Sequence, residues 1–222
     1  MTDDILIGGV EKRDVVIADY DPRWPATFQR HAATISGALA DKALSIEHIG
    51  STSVLQLAAK PIVDLLVVVE DSGDEAAYLP ALLRAGYVLR VREPDWHRHR
   101  MVRTPELDVH VHILSAGCPE IARYLIFRDR LRTHASDRLL YESVKRRLAA
   151  QSWPDMNAYA RAKTEVVEQI IARAEQALTL TDGGTAENGR CGCSGPQVAR
   201  LPSNRQSSNH QSSNHQSSIN RH

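Results

Sequence analysis

His48-Ile49-Gly50-Ser51-Thr52-Ser53 and, after a short loop, Lys60-Pro61-Ile62-Val63-Asp64-Leu65-Leu66-Val67-Val68-Val69 form the stretch on which the fold turns. From Ile62 to Val69 every residue but Asp64 is apolar. A β-branched run of this length reads as a strand. Its near-continuous apolarity reads as burial on both faces, as in a central strand of a covered sheet. Ser45 to Ile49 reads as a brief extended segment that ends at Gly50-Ser51. A glycine there lets the backbone come close to a phosphate, whose charge the following amides can hold. Ser51, Thr52 and Ser53 add hydroxyl donors, and Lys60 can add a charge. Gly-Ser on its own also reads as a plain turn. If it binds phosphate, Gly50→Val is expected to block that approach more than it disturbs stability. Asp64 stands in an apolar strand, so its carboxylate must be paired, hydrogen bonded or metal-bound. A hard cation such as Mg²⁺ suits it.

Before this stretch, Asp14 to Ile17 is a short β-rich run. Trp24, Phe28, Ala32, Ile35 and Leu39 then repeat at helical spacing. Beyond it, Asp74 to Ala85 reads as a helix stopped at Gly86, with Pro80 weakening its first half. Tyr87 to Val91, His99 to Arg103 and Asp108 to Leu114 read as three strands. Pro119 to Arg132, Asp137 to Ala149 (capped by Ser136 or Asp137) and Met156 to Leu178 read as helices. Strands mixed with helices, then three helices, predict an α/β domain of the mixed α+β kind.

In the last strand, alternation sets Asp108, His110 and His112 on one face and Val109, Val111 and Ile113 on the other. The three polar residues are candidate metal or phosphate ligands, and an exposed polar strand face would look the same. Imidazole suits softer ions better than Mg²⁺. His97, Arg98, His99 and Arg100 extend the polar face if their strand pairs with this one. Arg128, Arg132, Lys145 and Lys163, on the later helices, read as solvated helix faces.

Composition changes at Thr181. Up to Leu180 apolar residues come in periodic runs; beyond it they nearly vanish. Residues 1–180 are therefore expected to form one domain, and 181–222 a disordered low-complexity tail. Asn204 to Ser218 holds three near-copies of Asn-x-Gln-Ser-Ser, which bury no core. Cys191-Gly-Cys193 with His210 and His215 matches no familiar zinc spacing. With 27 Lys and Arg against 27 Asp and Glu, the chain has no basic excess to draw it to nucleic acid. Three cysteines without framework spacing fit a reducing compartment. Residues 1–4 lack the regions of a signal peptide, and the longest apolar run is too short to span a bilayer. A soluble cytoplasmic protein without nucleic-acid or membrane partners is expected.

The chain resembles the GrpB family, which is also found fused to dephospho-CoA kinases. The resemblance runs from about Val15 to Ile171. It is carried by Tyr20-Asp-Pro-Arg-Trp24, Glu47-His-Ile-Gly-Ser-Thr-Ser-Val54 and Leu57-Ala-Ala-Lys-Pro-Ile-Val-Asp64. Gly86-Tyr87, His110-Val-His112, Phe127-Arg-Asp129, Tyr141 with Lys145 and Tyr159 with Lys163 follow in order. The family is similar to the nucleotidyltransferases, where a Gly-Ser pair precedes a strand bearing two metal-binding acids one residue apart. The resemblance implies a small mixed sheet flanked by helices, with the site at the Gly-Ser turn. Twelve residues separate Ser51 from Asp64, which fits. The second acid would fall at Leu66, which weighs against a mechanism that clamps both reacting oxygens with two ions. Leu55-Gln56 replaces the Pro-Gly common in relatives, and a more helical loop is expected there.

Three functions follow from the resemblance. One is a metal-dependent nucleotidyltransferase acting on a small acceptor. Gly50, Ser51, Thr52, Ser53 and Lys60 would hold a nucleotide's phosphates, and Asp64 with Asp108, His110 and His112 would hold a divalent metal. Asp64, His110 and His112 would be catalytic. The second is a non-catalytic or chaperone-like module that binds a nucleotide- or CoA-related ligand. The third is an interaction domain without a small-molecule ligand.

Overall fold

The computed structural model of the protein describes residues 5–12 and 14–182. The expected tail, 181–222, lies outside the described residues from 183 on, with its cysteines and histidines; its first two residues, Thr181 and Asp182, are the last of a helix. The elements in chain order are α1 (Trp24–Leu39), β1 (Ser45–Ile49), β2 (Val63–Val69), α2 (Glu75–Arg84), β3 (Val88–Glu93), β4 (His99–Arg103) and β5 (Val109–Ser115). Four helices follow: α3 (Pro119–Thr133), α4 (Ala135–Ala149), α5 (Met156–Ala162) and α6 (Thr164–Asp182). The five strands form one mixed sheet in the order β1-β2-β5-β4-β3. β2 and β5 are parallel neighbours; the other pairs are antiparallel. The expected mixed sheet flanked by helices is the observed architecture.

The apolar run explains why β2 sits inside the sheet. Leu65, Leu66 and Val67 are fully buried, each stabilising the fold by about 1.5–3 kcal/mol. Val63, Leu65, Val67 and Val69 join Val109, Val111 and Ile113 on one face, under α1 and α2. On the other face Leu66, Val68 and Leu114 meet Ile49 and the α3 residues Tyr124 and Leu125. A third cluster joins the carboxy-terminal helices to Val54 and Leu57 in the loop between β1 and β2. That loop is thereby pinned between sheet and helices.

Several local expectations need correction. Asp14 to Ile17 forms no strand; the residue after it, Ala18, makes one isolated bridge, to Ala59 in the loop between β1 and β2. Met156 to Leu178 is two helices, broken at Lys163, whose amide bonds the carbonyls of Ala160 and Arg161. α4 starts at Ala135, and Asp137, in its first turn, bonds Arg130 and Arg173 instead of capping the helix. Pro80 lies inside α2 without ending it. The loop after Ser51 is helical for one 3₁₀ turn, Ser51–Ser53, and Gln56 then takes φ +62°. Left-handed backbone at that position accounts for glycine in relatives.

Candidate functional site

The Ile49–Asp64 pairing of β1 with β2 brings the Gly50 turn against the Asp64 side chain. Gly50 has φ +68°, and a Cβ built on it would lie 2.5 Å from Asp64 Oδ2. Only glycine satisfies both constraints. The hydroxyls after it do different work. Ser51 opens onto the cavity beside Asp64. Ser53 Oγ donates to the Gly50 carbonyl at 2.6 Å and closes the turn. Thr52 is buried, with Oγ1 3.1 Å from His48 Nε2. That imidazole stacks on Phe28, and burial pushes its pKa down to about 4. Thr52 and Ser53 therefore shape the turn, and of the expected phosphate-binding cluster Gly50, Ser51 and Lys60 line the cavity.

The parallel register sets Asp64 opposite His110 and Leu66 opposite His112. His110 Nδ1 lies 3.7 Å and His112 Nε2 3.8 Å from Asp64 Oδ1. Burial opposes ionisation of Asp64, but contact with His112, the charge of His110 and that of Lys60 outweigh it, holding the carboxyl below its usual range. Behind His112 runs a buried chain that sequence reading did not assemble. His112 Nδ1 is 3.1 Å from His99 Nε2, and His99 Nδ1 is 2.9 Å from Glu93 Oε2. His99 is fully buried and Glu93 nearly so. The β3–β4–β5 pairing thus orients the His112 imidazole from behind.

Asp108 does not join this group. It precedes β5, is exposed, and accepts a hydrogen bond from Thr104 Oγ1 at 2.7 Å across the β4–β5 turn. Alternation holds along a strand, and the strand begins one residue later. Among the described residues no group of three His, Cys, Asp or Glu side chains is arranged to hold a metal ion.

The helices supply what is missing. Lys145 and Lys163, read from the sequence as solvated, line the cavity with Tyr141 and Tyr159. Lys145 is 2% exposed. Its Nζ donates to Ser51 Oγ at 3.0 Å and to the Ala58 carbonyl, and lies 4.7 Å from the Tyr141 ring centre. Burial, then the charge of Lys163, pushes its pKa well below the ordinary lysine value. Burial lowers Lys163 to about 8 against the pull of Asp64. Lys60 and Lys163 approach the Tyr159 ring at 5.6 and 5.0 Å. A signal for Lys145 existed: on α4 it sits inside the apolar stripe Tyr141, Val144 and Leu148. Arg128 and Arg132 are not a solvated face either. Arg128 bonds Glu47 and the His48 carbonyl, and Arg132 bonds the Ser53 carbonyl, so both buttress β1 and the turn from outside.

The cavity at the turn holds about 100 Å³. A second, of about 370 Å³, adjoins it and shares Lys60, Ile62 and His110 as walls, with Met101, Leu107 and Met156 beyond.

A protein-family model described as GrpB protein matches residues 14–173. A UPF0157 protein of Streptomyces coelicolor is 53% identical over 169 residues, covering 76% of this chain and 89% of the relative. The crystal structure of the conserved protein GrpB from Enterococcus faecalis superposes with a TM-score of 0.66 at 31% identity, covering 74% of this chain and 99% of that one. A dephospho-CoA kinase of Mycolicibacterium paratuberculosis is 28% identical over 191 residues, covering 74% of this chain and 47% of the relative.

Proposed function

The chain belongs to the GrpB family, and we propose that its pocket binds a nucleoside triphosphate and transfers the nucleotidyl group to a small acceptor. One observation carries the reading: Lys60, Lys145, Lys163 and Asp64 meet at the Gly50-Ser51 turn. Asp64 fills the Cβ side of Gly50, and the phosphate would meet the turn from the cavity that Ser51 lines. Lys60 and Lys163 supply positive charge to it, and Lys145 anchors Ser51. Phosphoryl transfer needs positioning and charge neutralisation, and charges held in a partly dry pocket act strongly. The phosphates fit the smaller cavity and the nucleoside the larger, with His110 at the junction. His110, backed by Asp64, is the base for the acceptor hydroxyl, and the Glu93–His99 chain keeps His112 oriented beside it.

The donor set tests the expected metal. Leu66 is fully buried in the apolar layer under α3, so the residues do not fit a two-ion clamp. One carboxylate plus substrate phosphates does suit a single Mg²⁺. Asp64 would hold it, and the ion would neutralise phosphate charge.

Titration calorimetry with a panel of nucleotides, with and without Mg²⁺, tests the proposal. Binding is expected for wild type, and Asp64→Asn should lose the Mg²⁺-dependent part while keeping its melting temperature. Absence of binding by every phosphate ligand would contradict it. Buried Leu66 and the match to a dephospho-CoA kinase favour one other reading, a pocket that binds a nucleotide- or CoA-related ligand without chemistry. Binding without release of pyrophosphate, across acceptors, would support that reading instead.

A further inference from the structure

We propose that Ser51 is a nucleophile and Lys145 its general base, so that transfer passes through a covalent intermediate on Ser51. Ser51 follows Gly50 on a sharp left-handed turn and opens into the cavity. A turn of this kind presents a hydroxyl clear of its own backbone. Lys145 Nζ stands 3.0 Å from that hydroxyl oxygen, within the reach a base requires. The Ala58 carbonyl fixes the amine from a second side. Nucleophile, base and an orienting third group are the parts this chemistry needs.

The surroundings favour an amine over an ammonium. Lys145 is buried, and among the described residues no carboxylate lies within 4.0 Å of it. Its acidic neighbour Glu142 is engaged elsewhere, with Oε2 accepting from the Ala58 amide at 3.2 Å and Oε1 from Arg146 at 2.9 Å. Lys163 adds a second positive charge nearby. A buried ammonium without a counter-charge is costly, whereas a buried amine is tolerated. Along the same 3.0 Å line a neutral Lys145 accepts the Ser51 proton.

The choice of electrophile rests on the nucleotide reading above; the nucleophile–base pair does not. In the first step the Ser51 Oγ–H proton passes to Lys145 Nζ. Oγ then bonds the α-phosphorus of a nucleoside triphosphate, and the bond from that phosphorus to the bridging oxygen breaks, releasing pyrophosphate. In the second step the acceptor hydroxyl gives its proton to His110 and attacks the same phosphorus. Ser51 Oγ leaves and regains its proton from Lys145.

The full chain is treated with a small alkyl fluorophosphonate, an electrophile that needs no nucleotide site, and the adduct is mapped by peptide mass spectrometry. The expected result is label on Ser51, lost in Ser51→Ala and reduced at least tenfold in Lys145→Arg, which keeps a hydrogen-bond donor but stays protonated and cannot act as base. Failure to label Ser51 in wild type overturns the proposal, whatever the variants do. Undiminished labelling in a folded Lys145→Arg overturns it as well. In a parallel arm with an α-³²P nucleoside triphosphate, acid quenching is expected to trap the nucleotide on Ser51. Fluorophosphonate labelling without nucleotide trapping would support the nucleophile–base pair and count against the nucleotide reading.

Discussion

Gly50 is the residue on which both backbone and chemistry depend. At φ +68° and ψ −175°, a region essentially confined to glycine, any other residue is strained by about 1–3 kcal/mol. At this position a Cβ would also collide with Asp64. Gly50→Ala should therefore lower the melting temperature by several degrees and weaken ligand binding together. The expectation from sequence, that Gly50→Val would block phosphate approach more than it disturbs stability, leaves out the carboxylate packed against the glycine. Thermal melts and calorimetry on one sample check this, and an unchanged melting temperature would show the turn to be loosely held. Gly50, Ser51, Asp64, His110 and His112 were legible because strand alternation and a Gly-Ser turn are local patterns. That Thr52, Ser53 and Asp108 bond His48, the Gly50 carbonyl and Thr104 was not legible, because no periodicity records such partners.

At the scale of elements, the break between α5 and α6 has a purpose that helical periodicity hides. It turns Lys163 into the cavity, where burial lowers its pKa to about 8. Above that pH the free protein has lost the proton and must take one up to bind an anion. Affinity for a phosphate ligand is therefore expected to fall as pH rises through about 8, and Lys163→Arg should remove the fall, since arginine stays charged. A pH-independent wild type, measured by calorimetry from pH 6.5 to 9, would contradict the placement of Lys163. β2 carries a second expectation. Leu66 faces the apolar layer under α3, so Leu66→Asp, which restores the missing second acid, should cost more than about 3 kcal/mol through an unpaired buried charge. Denaturant melts measure this; a small loss would mean that the position is open to solvent or metal. The strands and most helix bounds followed from composition and period. Lys145 and Lys163 did not, because an amphipathic helix normally turns its lysines outward and only tertiary packing says otherwise.

At the scale of the whole molecule, the parallel β2–β5 pair is the organising contact. It sets Asp64 beside His110, while the loop from β1 and the helices α4 to α6 close over the same sheet end. Two packed bodies thus meet at one pocket, the sheet bringing a carboxylate and imidazoles and the helices bringing lysines. No helix among the described residues is long and apolar enough to cross a membrane. The sheet half of this arrangement was readable from the sequence, since a single apolar run placed β2 inside the sheet. The helical half was not, since nothing local says that helices a hundred residues later return to Gly50. The most direct test of that convergence is a crystal structure with a non-hydrolysable nucleoside triphosphate and Mg²⁺. The phosphates should lie against the Gly50-Ser51 backbone within reach of Lys60 and Lys163, with the nucleoside beyond His110. Phosphates bound elsewhere, or a pocket that stays without ligand at millimolar concentration, would contradict the account.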